Sequence, residues 1–103
     1  MASNNSVHIE GVVKRDSQQK ELRNGVRVMD FCLSVRDPLN DNMNTYIDCF
    51  AATDAVDELE GYVEEGERLA VDGFLTFRTM TDYKGRRKSA LIVNVEHAEE
   101  IGD

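Results

Sequence analysis

Hydrophobic side chains recur at every second position along most of this chain. Between Ser6 and Lys14, Val7, Ile9 and Val13 share one phase, with Gly11 standing in it. Such alternation marks a strand with one buried face, and a glycine inside it marks a bulge or bend. Residues Arg15–Arg23 are polar and lead to Asn24-Gly25, a strong hairpin-turn signal. Val26–Arg36 is the second predicted strand, with Phe31, Leu33 and Val35 in phase. The segment Asp37-Pro38-Leu39-Asn40-Asp41-Asn42, which holds the only proline, has loop chemistry. Tyr46–Ala52 is the third strand, with Ile47, Cys49 and Ala51 on one face and Tyr46, Asp48 and Phe50 on the other.

The period then changes to that of a helix. Ala55, Leu59, Tyr62 and Val63 fall on one helical face, Thr53 stands at the N-cap position, and Asp54 and Asp57 suit the positive end of the helix dipole. Gly66 is the predicted stop. Period two returns in Arg68–Thr81, the fourth strand, where Leu69, Val71, Gly73, Leu75 and Phe77 share one phase and Phe74, Arg78 and Met80 the other. Asp82-Tyr83-Lys84-Gly85 is a hairpin turn, and Arg87–Val95 is the fifth strand. No internal repeat or low-complexity tract interrupts the chain. Three strands, one helix and two strands is the element order of an OB-fold: an all-β, five-stranded barrel with one helix between strands three and four. A single domain is expected over residues 1–103, with its core at about 6–95 and a short acidic end at 96–103.

Composition fits that expectation. A chain of 103 residues with 41% hydrophobic side chains supports one core. No run approaches the ~18 apolar residues of a membrane helix, and Met1–Ser6 lack the apolar stretch of a secretory signal. A cytoplasmic location without membrane association is the expectation. Cys32 and Cys49 show no CxxC spacing and read as two buried thiols, and a metal site would have to recruit His8 and His97 from distant segments. Neither a metal nor a cofactor is expected.

Charge needs closer reading. The net charge of −8 argues against a polyanionic partner. Seven acids lie within residues 54–67 (Asp54, Asp57, Glu58, Glu60, Glu64, Glu65, Glu67) and four more within 96–103 (Glu96, Glu99, Glu100, Asp103), with no lysine or arginine in either segment. Without these eleven, nine acids stand against twelve bases, so the rest of the molecule carries +3. A basic face is compatible with an acidic chain.

The residues also resemble a known family. Asn24-Gly25 followed by Val28, Phe31 and Leu33 is similar to a segment of the bacterial single-stranded DNA-binding proteins. So are Tyr46-Ile47-Asp48-Cys49-Phe50-Ala51, Tyr62-Val63-Glu64-Glu65-Gly66, and Leu69-Ala70-Val71-Asp72-Gly73-Phe74-Leu75 with Arg78 and Thr81-Asp82-Tyr83-Lys84-Gly85. Order and spacing hold from about Ser6 to Val95. The resemblance implies an OB-fold that binds single-stranded DNA without sequence preference, in replication, recombination or repair. It also implies a homo-oligomer, with a homotetramer expected ahead of a homodimer and the first strand as its pairing edge. Members of the family stack bases on exposed aromatics while lysines and arginines track phosphates. The family's four aromatic positions fall on Leu39, Tyr46, Ala52 and Met80, so only Tyr46 keeps a ring.

The expected interface is therefore Tyr46, Phe50, Phe74 and Met80 for bases, with Tyr83 beside the basic run Lys84, Arg86, Arg87 and Lys88, and with Arg36 and Arg78 near strand ends. Asp48 adds a negative charge to the same strand phase. The chain stops at Glu99-Glu100-Ile101-Gly102-Asp103 without the acidic tip, closing on Pro-Phe, through which family members recruit replication and repair enzymes, so recruitment of that kind is not expected of these residues. No nucleophile elbow, phosphate-cradling loop or HExxH motif suggests an enzyme. The alternative is a diverged OB-fold that binds another protein, to which the missing aromatics and the acidic surplus would point.

Overall fold

Alternating side chains become strands that close on themselves. The computed structural model describes residues 4–15, 17–40, 42–59, 61 and 63–102. Its strands are β1 (Val7–Val13), β2 (Gln18–Glu21), β3 (Arg27–Arg36), β4 (Asn44–Ala52), β5 (Arg68–Thr81) and β6 (Arg87–Glu100), with one helix, α1 (Asp54–Leu59), between β4 and β5. The sheet runs β1-β5-β6-β4-β3-β2, and β1 also pairs with β3. That extra pairing closes five strands (β1, β5, β6, β4, β3) into a barrel. All its ladders are antiparallel except β4 with β6. The predicted OB-fold barrel is thus present, with the helix between its third and fourth barrel strands.

The sixth strand is the part that periodicity did not show. Gln18–Glu21 is exposed at every residue and pairs only with β3, so no apolar alternation marks it. It forms because the turn at Asn24 returns the chain along β3: Asn24 Oδ1 accepts the Val26 amide at 3.1 Å, and Leu22 N donates to Val26 O at 2.8 Å.

The core lies inside the barrel. Val13, Met29, Phe31, Leu33, Cys49, Ala51, Leu69, Val71, Val93 and Val95 are buried together, and Val7, Ile9, Val35, Ile47 and Leu75 pack around them. The helix closes one end with Ala55, Val56 and Leu59, while Asp54, Asp57 and Glu58 face solvent. An ion pair between Arg27 and Asp57 ties it to β3.

Two details of the helix differ from expectation. The Thr53 hydroxyl donates to Ala52 O at 2.8 Å instead of capping, and it is the Thr53 carbonyl that accepts the Val56 and Asp57 amides. The helix also ends before Gly66. Gly61, at φ 91°, takes the left-handed conformation that stops helices, leaving a helix of six residues. Tyr62 and Glu60, assigned to the helical segment, and Asp41 and Asp103 lie outside the described residues.

The long β5–β6 ladder sets the shape. At Asp72/Gly73 its register shifts: Asp72 faces His97, while Gly73 faces Val95. Glu96 is therefore the extra residue, and beyond it the inward phase of β6 moves from odd to even numbers, placing Ala98 in the core. For this reason β6 runs on to Glu100 past the predicted end at Val95, and the acidic residues Glu96, Glu99 and Glu100 form part of a strand. At the other end β1 stops pairing at Val7↔Gly73. The Asn5 side chain prolongs the edge, donating to Leu75 O and accepting from Leu75 N, both at 2.8 Å. Beyond it the β5–β6 hairpin leaves the barrel. Phe77 keeps the inward phase predicted for it but is 72% exposed, because no strand remains there to cover it.

Gly73 is the tightest point of the ladder. An added Cβ would lie 1.9 Å from Asn94 O and 3.1 Å from Val95 Cα, both backbone atoms that cannot swing aside. Gly73→Ala is expected to destabilise the fold by roughly 2–3 kcal/mol or more, the scale of core overpacking; denaturant unfolding with a loss under ~1 kcal/mol would contradict the contact. A second expectation concerns His8, which stands opposite Asp72 across β1–β5. Its pKa is raised above 6.5 by the hydrogen bond to Asp72 at 2.7 Å and then by that to Glu10 at 3.1 Å. A folded-state pKa above the unfolded one makes this contribution complete below about pH 6.5 and lost as pH climbs through the folded value. His8→Gln should therefore lower the thermal midpoint more at about pH 5.5 than at about pH 8.5; an equal difference at both would remove the assignment.

Candidate nucleic-acid interface

Strand β4 turns Tyr46, Asp48 and Phe50 outward while Ile47, Cys49 and Ala51 point into the barrel. Cross-strand register extends that outer face in both directions. Ser34, Cys32 and Asp30 of β3 stand opposite Tyr46, Asp48 and Phe50. On the other side Phe50 pairs with Asn94 of β6, which in turn pairs with Phe74 of β5. Phe50 and Phe74 thus belong to one row across three strands.

Both β4 aromatics carry a cation. The Lys14 ammonium lies 3.6 Å from the centroid of Tyr46, which is 53% exposed. The Arg78 guanidinium lies 5.0 Å from the centroid of half-buried Phe50 and makes a 2.9 Å ion pair with Asp30. These contacts hold positive charge against faces suited to stacking. Arg78 also anchors the root of the β5–β6 hairpin to the barrel. Beside Asp48, over β3, a cavity of about 320 Å³ opens, lined by Arg15, Gln18, Asp30, Phe31, Cys32, Asp48 and Arg78.

The hairpin tip presents the second group. Asp82 holds its turn, accepting the Lys84 and Arg86 amides at 2.9 Å each and the Arg86 Nε at 3.0 Å. Tyr83 is 90% exposed, with the Lys84 ammonium 5.6 Å from its ring centroid. Arg87 and Lys88 stand opposite Thr81 and Met80, all exposed. Arg86 is thus partly neutralised by Asp82, whereas Arg87 and Lys88 make no ion pair among the described residues. Arg36 lies at the far end of β3, opposite Asn44 and beside the 37–43 loop. That loop is folded by its own side chains: Asp37 Oδ1 accepts the Leu39 amide and Asn40 Oδ1 the Asn42 amide, which leaves Leu39 95% exposed at the tip.

Of the residues singled out from sequence, Phe50 and Arg78 are in contact, Phe74 is separated from Phe50 by Asn94 of β6, and Tyr46 shares their face. Met80, Tyr83, Lys84, Arg86, Arg87 and Lys88 ride on the projecting hairpin, and Arg36 stands at the opposite rim. Lys14, Arg15 and Phe77 escaped the reading. Lys14 and Arg15 sit where the polar 15–23 segment begins, with no pattern to tie them to Tyr46 or Cys32, and Phe77 occupies a core phase. The two cysteines are free and buried, on opposite faces of the sheet. Burial pushes the Cys49 thiol up to about 12. Burial also raises Cys32, helped by the Asp48 carboxylate and opposed by Arg15 and Lys14. Both remain thiols at neutral pH.

The single-strand binding protein family model matches residues 4–101, nearly the whole chain. The chain belongs to that family. A single-stranded DNA-binding protein of Malacoplasma penetrans is 25% identical over 97 residues, covering 94% of this chain and 51% of that protein. One of Halalkalibacterium halodurans is 28% identical over 87 residues, covering 81% and 52%. The chain spans about half the length of these curated relatives. The solved structure of the Plasmodium falciparum SSB complex with ssDNA superposes with a TM-score of 0.81 at 20% identity, over 99% of this chain and 98% of that one. This last likeness concerns the fold, and it extends over the barrel, the helix and the long hairpin alike. Among the described residues no helix is long and apolar enough to cross a membrane.

Proposed function

We propose that this member of the single-strand binding protein family binds single-stranded DNA along the outer face of β3, β4, β6 and β5 and the adjoining hairpin. The observation that carries the reading is the pair of outward aromatics on β4, Tyr46 and Phe50, each beside a cation. Bases stack on Tyr46, Phe50 and Phe74, with Met80 and Tyr83 covering further bases along the hairpin. Lys84, Arg86, Arg87, Lys88, Arg78 and Arg36 neutralise phosphates. Stacking on an aromatic contributes ~1–3 kcal/mol per base and needs no particular sequence, since every base has a π-face. Most acids lie elsewhere, on the helix segment and the last strand. The role is capture of unpaired strand, without catalysis or cofactor, in the cytoplasm during replication, recombination or repair.

The reading includes self-association, as a homotetramer ahead of a homodimer. Its support is strand β1, which pairs with β5 over Val7–Val12 but with β3 only at Val12 and Val13. An unpaired edge of this kind is a template for a second strand. Light scattering of the intact chain is expected to give a multiple of the monomer mass; a monomer at micromolar concentration would remove this part.

The binding test is fluorescence anisotropy with a labelled oligo-dT of roughly 60 nucleotides, several OB-fold site lengths, beside a duplex control. Salt-sensitive, single-strand-selective binding is expected. Tyr46→Ala should weaken it by ~1–3 kcal/mol. Removing both Arg87 and Lys88 charges should flatten the salt dependence by about two counterions. No binding at low salt would turn the interpretation to a protein-interaction module.

A further inference from the structure

A carboxylate in the middle of a surface that receives a polyanion needs a reason. Asp48 lies two residues from Tyr46 and two from Phe50 on the same outward phase, so a strand stacked on both rings must pass over it. It is exposed and forms no ion pair among the described residues; the Cys32 thiol beside it is its neighbour across β3–β4. Arg78, which lines the same cavity, pairs with Asp30 at 2.9 Å. Arg15 shares the cavity without bridging to Asp48, and Gln18 adds an amide that both donates and accepts. The cavity's volume of about 320 Å³ is at the lower end of sites that hold small ligands.

We propose that Asp48 is a specificity-determining residue: the cavity it lines together with Arg15, Gln18 and Arg78 takes a nucleobase with an exocyclic amino group in preference to thymine. The inference rests on the single-stranded DNA reading given above. An ionised carboxylate only accepts hydrogen bonds, and it repels phosphate, so the strand must offer it a donor. Guanine offers two, N1–H and the N2 amino group, matched to both carboxylate oxygens. Cytosine offers its N4 amino group and adenine its N6 amino group, whereas thymine offers one N3–H flanked by two carbonyl oxygens that face the carboxylate unfavourably. Arg15 and the Gln18 amide stand on the same rim to meet a phosphate or a base carbonyl. Stacking by the flanking aromatics thus stays sequence-tolerant while one position per domain discriminates.

The test compares oligo-dC and oligo-dT of equal length, roughly 15 nucleotides to address one domain, by anisotropy with the full chain. The wild-type protein is expected to bind oligo-dC roughly five- to tenfold more tightly, the lower range of one base contact. Asp48→Asn keeps the shape but gives a side chain that both donates and accepts; it should raise oligo-dT affinity most and bring the dC/dT ratio close to one. Asp48→Thr, suited to an exposed strand position, should do the same and guards against an effect peculiar to the amide. A wild-type ratio near one, or two oligomers that tighten in equal proportion in both variants, would overturn the assignment and make Asp48 a simple repulsive charge. Failure of the wild-type chain to bind either oligomer would instead overturn the functional reading beneath it. The two failures are therefore distinguishable.

Discussion

A single close approach between two backbones governs this molecule. At Gly73 the chain of β5 comes so near to Asn94 and Val95 of β6 that a methyl group has no room. The register of the longest ladder shifts at that point, with Glu96 bulged out. On one side of the shift the two strands form barrel wall, with Leu69, Val71 and Ala98 inside. On the other they continue the wall with Val93 and Val95 inside, carry Phe74, Arg78 and Asn94 to the outer face, and then run free as a hairpin. A bulge adds twist and re-aims side chains, which a small barrel needs in order to close. The core and the candidate interface therefore depend on the same local geometry.

The electrostatics of the outer face follow from that arrangement more than from net charge. The acids of α1 lie beyond the barrel end that the helix closes, and exposed charges more than ~8 Å apart are largely screened at physiological salt. What matters to a strand on the face is local. There Asp30 balances Arg78 and Asp82 balances Arg86, while Lys14 rests over Tyr46, and Arg87 and Lys88 make no ion pair among the described residues. A chain of net charge −8 can thus present a modestly cationic surface where the +3 remainder is concentrated. Exposed ion pairs of this kind are individually weak, ~0–1 kcal/mol, so phosphates can compete for Arg78 and Arg86 at little cost.

Much of this was legible because period two reports which face of a strand is buried. Phe31, Leu33, Cys49, Ala51, Leu69 and Val71 share the apolar phase of their strands, and all are buried. The outward set Tyr46, Asp48, Phe50 followed from the same alternation. The reading stopped where the physics stopped being periodic. Beyond Val95 the bulge reverses the phase, so Ala98 looks misplaced in sequence although it is buried. Strand β2 has no buried face and no apolar signal at all, being held by a turn and by the edge of β3. The helix stop moved from Gly66 to Gly61 because either glycine serves as a terminator in sequence, and the choice was made by packing of Leu59 and Val63 against the barrel. Lys14 and Arg15 reached the face because the chain past β1 stays bonded to β3, Lys14 N donating to Cys32 O at 3.0 Å, a non-local contact that spacing along the chain cannot express.

The same contrast bears on the thin supply of aromatics. At Leu39 and Met80, positions where the resemblance leads one to look for rings, the structure keeps large apolar side chains exposed, at 95% and 50%. Neither packs into the core. An apolar side chain held in solvent at the tip of a loop or along a free hairpin contributes nothing to folding there, but it can cover a base face. It does so less favourably than a ring, lacking the π-surface while keeping the contact area. The two rings that remain on β4 are both backed by cations, and a cation on one face of a ring leaves the other available to a base. In the interface proposed above, stacking centres on β4, where Tyr46 and Phe50 flank the one carboxylate on that strand's outer phase, so a strand held by both rings also meets Asp48.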